Sequence, residues 1–187
     1  SPKVADTSIV MLEKWIKEGL LETADGKALA LNKPTTDIAL GTVRRGKPDG
    51  PPPMPEKPLP LDPLVVTSKG NAVIGLAASP WAPLLAVGGQ KQIVLYNTDT
   101  MEYLGVIPFT DGYTTVLKYR RNVGLLLAVG GRGGKNCSAT LFNIKTGQKV
   151  LTVGQESDAV LAADISPDQT QIALGGPSKV VRVYSTV

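Results

Sequence analysis

The sequence lacks histidine altogether and contains one cysteine, Cys137, in 187 residues. These absences exclude, within this chain, a zinc site built from cysteine and histidine, an internal disulfide and any catalysis that relies on histidine. Covalent haem attachment is excluded as well, because it needs two cysteine thiols and a histidine ligand. We therefore predict that the chain contains no catalytic, cofactor-binding or metal-binding residue.

Charged clusters and aromatic side chains are also sparse. Aromatic residues make up 5% of the sequence, and the net charge of +4 is dispersed, with Arg44-Arg45 and Arg120-Arg121 as the only basic pairs. A nucleic-acid surface needs clustered basic residues with aromatic residues among them, so we predict no nucleic-acid partner. Residues 70–90 form an uncharged stretch, but their prolines and glycines would break a helix. We therefore predict no transmembrane segment in this chain.

The N-terminal part of the chain predicts one helix. Ile9, Leu12, Ile16 and Leu20 recur at steps of three and four residues, the spacing of an amphipathic helix over residues 6–22. A single helix of this length is marginally stable in water. Its apolar stripe therefore implies a packing partner.

The next part of the chain, residues 24–63, is rich in proline. Eight of the sixteen residues from 48 to 63 are proline, a composition that favours extended polyproline II and a semi-rigid spacer. We interpret residues 24–63 as a Pro-rich linker, with a ligand for a proline-recognising domain as the alternative. Met54, which lies among these prolines, is interpreted as a linker residue.

From residue 64 onward the sequence repeats. The first glycines of three Gly-Gly pairs, at 88, 130 and 175, are 42 and 45 residues apart, and three aromatic residues, at 96, 142 and 184, are 46 and 42 residues apart. A period of about 40–45 residues with four short strands is typical of β-propeller blades.

The repeat predicts a mainly β fold for residues 64–187. We expect four-stranded antiparallel sheets over residues 72–108 and 115–153 and a three-stranded sheet over residues 159–185. This is an incomplete propeller of about three blades. Because three blades cannot close a ring, we expect apolar faces to stay open at both ends, and the isolated chain to self-associate.

The repeats resemble WD40 repeats. Ser-Pro pairs stand at the turn between the first and second strands, at Ser79-Pro80 and Ser166-Pro167. Three pairs occupy the place of the family's Trp-Asp dipeptide: Tyr96-Asn97, Phe142-Asn143 and Tyr184-Ser185. The family's histidine is missing, and its aspartate before the third strand is replaced by Gln90, Asn136 and Ser178. The resemblance implies a WD40-like propeller that lacks the family's buried hydrogen-bond network and relies on apolar packing.

The segment from Asp6 to Gly19, with its Trp15-Ile16 pair, is similar to the C-terminal helix of the planctomycete-type cytochrome c domain. In proteins of that family a proline-rich spacer and a WD40 propeller commonly follow. The resemblance implies that residues 1–23 are the C-terminal helix of an upstream c-type cytochrome-like domain. It also implies that this chain is a piece of a larger electron-transfer protein, with haem c upstream of Ser1. It also implies a periplasmic or cell-envelope location.

Three motifs resemble functional sites without meeting their requirements. Gly130–Asn136 is rich in glycine, but it lacks the P-loop spacing, and we interpret it as a flexible loop between second and third strands. Cys137, with no histidine to activate it, is interpreted as an incidental thiol in the same loop. Asp164, between apolar neighbours on a first strand, is interpreted as a structural or surface residue.

Two classes of function remain from the sequence. We expect a non-catalytic interaction or scaffold module that binds a protein partner through the propeller surface. The alternative is a propeller enzyme with its active site on the axis, in blades that this chain does not contain. The inner strands favour the module, because the side chains predicted there are almost entirely apolar.

Overall fold

The structure is a computed structural model that describes Val10, residues 50–68, Gly70 and residues 72–120 and 124–186. The chain divides into two units, Ser1–Thr35 and Thr36–Val187, and every described strand lies in the second. The helix predicted over residues 6–22 lies outside the described residues, apart from Val10, which is helical.

Ten antiparallel strands make up the described part of the second unit. They are β1 Leu76–Ala78, β2 Leu84–Gly88, β3 Gln90–Asn97, β4 Tyr103–Tyr119, β5 Leu125–Arg132, β6 Asn136–Asn143, β7 Lys149–Glu156, β8 Ala162–Ile165, β9 Gln171–Gly175 and β10 Val181–Ser185. Strands β1 to β7 form one sheet in chain order, and β8, β9 and β10 form a second. The prediction of a mainly β fold is confirmed.

The strands follow the sequence repeat. The aromatic landmarks lie near the ends of the third strands: Tyr96 in β3, Phe142 in β6 and Tyr184 in β10. The third repeat forms a three-stranded sheet, as predicted. We call β1–β3 with the first half of β4 the first repeat, the second half of β4 with β5–β7 the second repeat, and β8–β10 the third repeat.

The first two repeats do not form the separate sheets that the sequence predicts. β4 is one 17-residue strand that pairs with β3 from Tyr103 to Pro108 and once more at Tyr113, and with β5 from Tyr113 onward. Asp111 and Gly112 lie where the repeat predicts a connection between blades, yet the chain stays extended there. Gly112 has a φ of 141°, a conformation that is open to glycine because it has no Cβ. The predicted sheets over 72–108 and 115–153 are therefore joined into one.

Apolar packing between the repeats forms two cores, one on each face of β5 and β6. Alternate side chains of a strand point to opposite faces. Leu126 and Phe142 pack toward the first repeat, whereas Leu127 and Leu141 pack toward the third repeat. All four side chains are at most 2% exposed. The expected reliance on apolar packing is therefore met in the part of the chain that the structure describes.

The turns between first and second strands are built as the Ser-Pro pairs predict. Between β1 and β2, the Ser79 Oγ accepts a hydrogen bond from the Ala82 N–H at 3.2 Å. Between β8 and β9, the Ser166 Oγ accepts from the Gln171 N–H at 3.0 Å and donates to the Asp168 Oδ1 at 2.5 Å. Serine thus closes both turns through its hydroxyl group, which is the usual role of serine at such positions.

Residues 53–65, which we call the proline strap, lie against the first two repeats. The Pro60 carbonyl accepts a hydrogen bond from the Val106 N–H at 2.8 Å, which satisfies a backbone donor of β4 that faces away from β3. The Glu56 N–H donates to the Lys145 carbonyl at 2.9 Å, and the two side chains form an ion pair at 2.8 Å. The strap therefore covers an edge that would otherwise be open to another strand.

The strap also contributes to the core. Leu59 is 7% exposed and belongs to the cluster between the first and second repeats, and Met54 packs against the same cluster. These two residues do not act as a free spacer, because their side chains pack against the sheets. The proposed domain boundary after residue 63 stays a prediction.

Candidate functional site

A cavity of about 440 Å³ lies where β4 leaves β3 and joins β5. Pairing between β3 and β4 passes from Gln92–Pro108 to Gln90–Tyr113, so that Lys91 stands opposite four residues of β4. The backbone of Lys91 is left-handed, with a φ of 57°. An irregularity of this kind turns a side chain out of the regular alternation of the strand.

We call this space the junction cavity. Its polar lining comes from the first two repeats and includes Lys91, Asp111, Tyr113, Arg132, Lys135 and Asn136. All of its lining residues lie between 90 and 136, so the cavity is formed by the joined sheet alone. Gln90 and Asn136, which replace the aspartate of the WD40 pattern, both lie in its wall.

Close backbone packing fixes the wall of the cavity. A Cβ added to Gly112 would lie 2.7 Å from the Gly131 carbonyl oxygen, and a Cβ added to Gly131 would overlap the carbonyl oxygen of Asn136. Gly131 has a φ of 152°, which also favours glycine. The Gly-Gly landmark of the second repeat is therefore a packing requirement, and it sets the backbone position of Arg132 at the cavity.

The segment Gly130–Asn136 is a tight hairpin in the structure. Residues 133–135 join β5 to β6, and the Lys135 N–H donates to the Arg132 carbonyl at 3.0 Å. The Gly134 N–H donates to the Ser157 carbonyl at 3.0 Å. The segment connects a second strand to a third, as predicted, through a turn of three residues, and the flexibility that its composition suggests stays a prediction.

The junction cavity carries an excess of positive charge. Its charged lining consists of Lys91, Arg132, Lys135 and a single carboxylate, Asp111. Asp111 accepts hydrogen bonds from the hydroxyl of the buried Ser138 and from the Thr110 hydroxyl at 3.3 Å. In the described part of the chain, the three cationic side chains form no ion pair. Their charge is therefore available to a ligand.

The first strands of the second and third repeats meet at a different polar cluster. The Lys118 Nζ lies 2.6 Å from the Asp164 Oδ1, and Arg120 donates to the carbonyls of Ile165 at 3.1 Å and Pro167 at 2.7 Å. The hydrogen bond from Lys118 lowers the pKa of Asp164 below its ordinary value. Asp164 is thus a partly exposed ion-pair partner that ties two repeats together, in agreement with its structural or surface interpretation.

Cys137 is not a loop residue. It lies on β6, is 2% exposed and belongs to the core between the second and third repeats. The correction follows from the hairpin, because a turn of only three residues places position 137 inside the strand. A buried thiol among apolar side chains acts as a small hydrophobic group. Among the described residues, the cysteine and carboxylate side chains form no group of three or more that could hold a metal ion.

Comparison with known proteins shows a likeness of fold. No family model matches this chain, and no curated protein does. A chain in the crystal structure of the mitotic checkpoint complex is similar over 64% of this chain and 39% of its own length, with a TM-score of 0.54 and 20% sequence identity. At that identity the likeness concerns the fold alone. It supports the WD40-like fold that the sequence repeat predicts.

The cationic residues of the junction cavity are absent from the sequence predictions. Lys91 and Arg132 each follow a Gly-Gly pair, three and two residues after its first glycine. When the repeats are aligned on their glycines, both residues fall at the turn between the second and third strands. This alignment of the repeats is the sequence feature from which the proximity of Lys91 and Arg132 could have been predicted. The bulge that turns Lys91 toward the cavity has no counterpart in the sequence pattern.

Proposed function

We propose that this chain is part of a non-catalytic, WD40-like propeller that serves as a protein-interaction module in a larger c-type haem protein. The observation that carries the proposal is the stacking of the repeats, whose β2–β3 and β5–β6 turns come together at one cavity. A rigid scaffold that presents turns from adjacent blades is suited to holding a partner surface. The similar solved chain belongs to a complex of several proteins, which is consistent with this use of the fold.

The first strands of the repeats favour a module over an enzyme. Enzymatic propellers bring catalytic groups to these strands. Here β1 carries Leu76–Ala78, and the acid Asp164 of β8 is engaged by Lys118 at 2.6 Å. The described first strands therefore offer apolar surface and one ion pair whose charges compensate each other.

The haem part of the proposal rests on the resemblance of residues 6–19 to a cytochrome c helix. This chain itself does not fit covalent haem, because its only cysteine thiol is buried between the second and third repeats. We propose that haem c is carried upstream of Ser1, that the parent transfers electrons in the periplasm or cell envelope, and that the propeller docks its partner. The coding sequence before Ser1 tests this part. A Cys-x-x-Cys-His motif within about a hundred residues supports it, and an unrelated domain without that motif contradicts it.

Deletion of the propeller tests the interaction role. The tagged parent protein and a variant truncated after residue 63, which lacks every blade of the propeller, are compared by chemical crosslinking in cells, and each recovered partner is then purified and titrated against both proteins. We expect at least one partner to bind the parent directly and to lose binding to the deletion variant, while turnover of an artificial electron donor is unchanged. Equal binding by both proteins contradicts the module, and loss of turnover with the propeller favours the enzyme.

A further inference from the structure

We propose that the junction cavity is a recognition site for an acidic peptide segment of a partner protein, with Lys91, Arg132 and Lys135 pairing with its carboxylates. This inference rests on the proposed function, because it names the chemistry by which the module would bind its partner. The first support is charge. Three cationic side chains and one carboxylate share a cavity of about 440 Å³.

The second support is the availability of those charges. Elsewhere on the sheets, Lys118, Lys145 and Arg182 each form an ion pair at 2.6–2.8 Å. Lys91, Arg132 and Lys135 form none within the described ranges, and the carboxylate beside them, Asp111, is already bonded to the buried Ser138. An incoming carboxylate therefore breaks no ion pair of these three side chains, and the lining keeps an excess of positive charge with Asp111 included.

The third support is preorganisation. Arg132 follows Gly131, whose backbone is packed directly against Asn136. Lys135 lies in a turn closed by its own backbone hydrogen bond to Arg132, and the neighbouring Gly134 N–H is bonded to the Ser157 carbonyl. Lys91 is turned away from the strand ladder by its left-handed backbone, a conformation that persists only where surrounding structure holds it. A fixed backbone beneath the three side chains reduces part of the ordering cost of binding.

The volume and shape of the junction cavity favour an acidic peptide over a small inorganic anion or a nucleic acid. The volume falls within the range of sites that hold a ligand larger than one small ion. The cations are gathered in one recess instead of a stripe along which a phosphate backbone could run. Tyr113, the aromatic residue of the lining, and the Asn136 amide add hydrogen-bonding groups that suit a peptide.

Binding of a defined probe tests the site. The full chain is titrated with fluorescein-labelled hexaglutamate at low and high salt, with hexaglutamine as the uncharged control. We expect saturable binding of hexaglutamate that weakens with salt, and no binding of hexaglutamine. The variant Arg132→Gln should bind about tenfold more weakly, a loss that corresponds to about 1.4 kcal/mol, because it removes a cation that pairs with a carboxylate of the peptide. Lys91→Gln and Lys135→Gln should act in the same direction.

The matched control is Lys149→Gln. It removes the same charge from an exposed position at the other end of the β6–β7 pair, where Phe142 pairs with Lys149. Phe142 lies six positions along β6 from Asn136, which corresponds to a distance of about 20 Å. We expect Lys149→Gln to change affinity less than twofold. Circular dichroism checks that all variants keep the sheet, as expected for exposed side chains.

Three results would overturn the assignment. They are equal loss of affinity in Arg132→Gln and Lys149→Gln, competition by inorganic phosphate as effective per mole as the peptide, and tighter binding of a hexamer of thymidylate than of hexaglutamate. The experiments also distinguish a failure of the proposed function from a failure of this binding site. If truncation after residue 63 abolishes partner binding while hexaglutamate does not bind, the module stands and this site is wrong. If hexaglutamate binds but deletion changes no partner, the site stands without the module.

Discussion

The second and third repeats share a sequence pattern but differ in how much of each sheet is covered. In β5 and β6, all residues from Leu125 to Gly131 and from Cys137 to Phe142 are buried. In β10, Val181 and Val183 are 69% and 59% exposed. The second repeat has another repeat packed against each face, whereas the described packing of β10 lies on one face only. Apolar strands are therefore stabilised by their neighbours more than by their own composition.

The same comparison locates the surfaces on which the predicted self-association depends. On the first repeat, Ile74 and Leu76 are 62% and 60% exposed, and on the third repeat the valines of β10 are exposed to a similar extent. Exposed apolar faces of this kind favour association with another sheet. Self-association of the isolated chain stays a prediction.

The largest effect should come from the second repeat. Leu127→Ala removes a side chain that is fully buried between the second and third repeats. We expect the free energy of unfolding to fall by about 2–5 kcal/mol, because the cavity has sheets on both sides and cannot collapse freely. Urea unfolding followed by circular dichroism measures the change.

The control for Leu127→Ala is Val183→Ala in the third repeat. Val183 is 59% exposed, so its truncation should change the free energy of unfolding by no more than about 0.5 kcal/mol. Similar losses in the two variants would mean that β10 is covered in solution, for instance by a second copy of the chain. That result would remove the difference between the repeats.

The next effect concerns the backbone packing of the second repeat. Gly131→Ala places a Cβ against the Asn136 carbonyl in a left-handed conformation, and we expect a loss of about 2–4 kcal/mol. Gly134→Ala is the matched control. Gly134 also has a positive φ, of 77°, but no atom within 4 Å of an added Cβ, so its cost should stay near 1–2 kcal/mol. Equal thermal shifts would show that conformation alone, without the close contact, accounts for both.

The sequence predicts the strands well because the same strand pattern recurs in three repeats, so that each repeat supports the assignment made in the others. The aromatic residues at 96, 142 and 184 mark third strands, and the Ser-Pro pairs mark turns that the structure confirms. The joining of two predicted sheets through β4 was not predicted. A glycine that permits a turn also permits an extended strand, and only the pairing partners on both sides decide between them.

The candidate site was harder to predict than the fold. The junction cavity depends on residues from two repeats, such as Lys91 and Arg132, that come together only because β4 pairs with both β3 and β5. Cys137 was assigned to a loop because the glycines before it suggested a longer connection than the three-residue hairpin. The proline strap was interpreted as a spacer, because composition reports stiffness and not the surface against which Leu59 packs.

A smaller effect should come from the strap. Leu59→Ala removes a side chain that is 7% exposed and packs between the first two repeats. We expect a loss of about 2 kcal/mol, the lower end for such a truncation, because a strap outside the sheets can adjust its position. Leu61→Ala, at a position 61% exposed, should change the stability by no more than about 0.5 kcal/mol. If Leu59→Ala has no larger effect than Leu61→Ala, the strap behaves as a free spacer and the first repeat is open on this side.

The smallest effect should come from the ion pair that links the second and third repeats on their exposed side. Asp164→Asn breaks the contact with Lys118, and the side chains of the two partners are 64% and 48% exposed. The pair should therefore contribute only about 0.2–1 kcal/mol near pH 7. Because folding lowers the pKa of Asp164, the contribution is fully present above the pKa of the unfolded chain, about 3.9, and is lost as the pH falls through the lower pKa of the folded state.

Urea unfolding at pH 7, 5 and 3 measures this dependence. The free energies of unfolding of the parent and of Asp164→Asn should converge at the lowest pH. The control Asp99→Asn, in an exposed turn, should track the parent at every pH. A constant difference between parent and Asp164→Asn from pH 7 to 3 would show that the ionised carboxylate is not what ties the second repeat to the third.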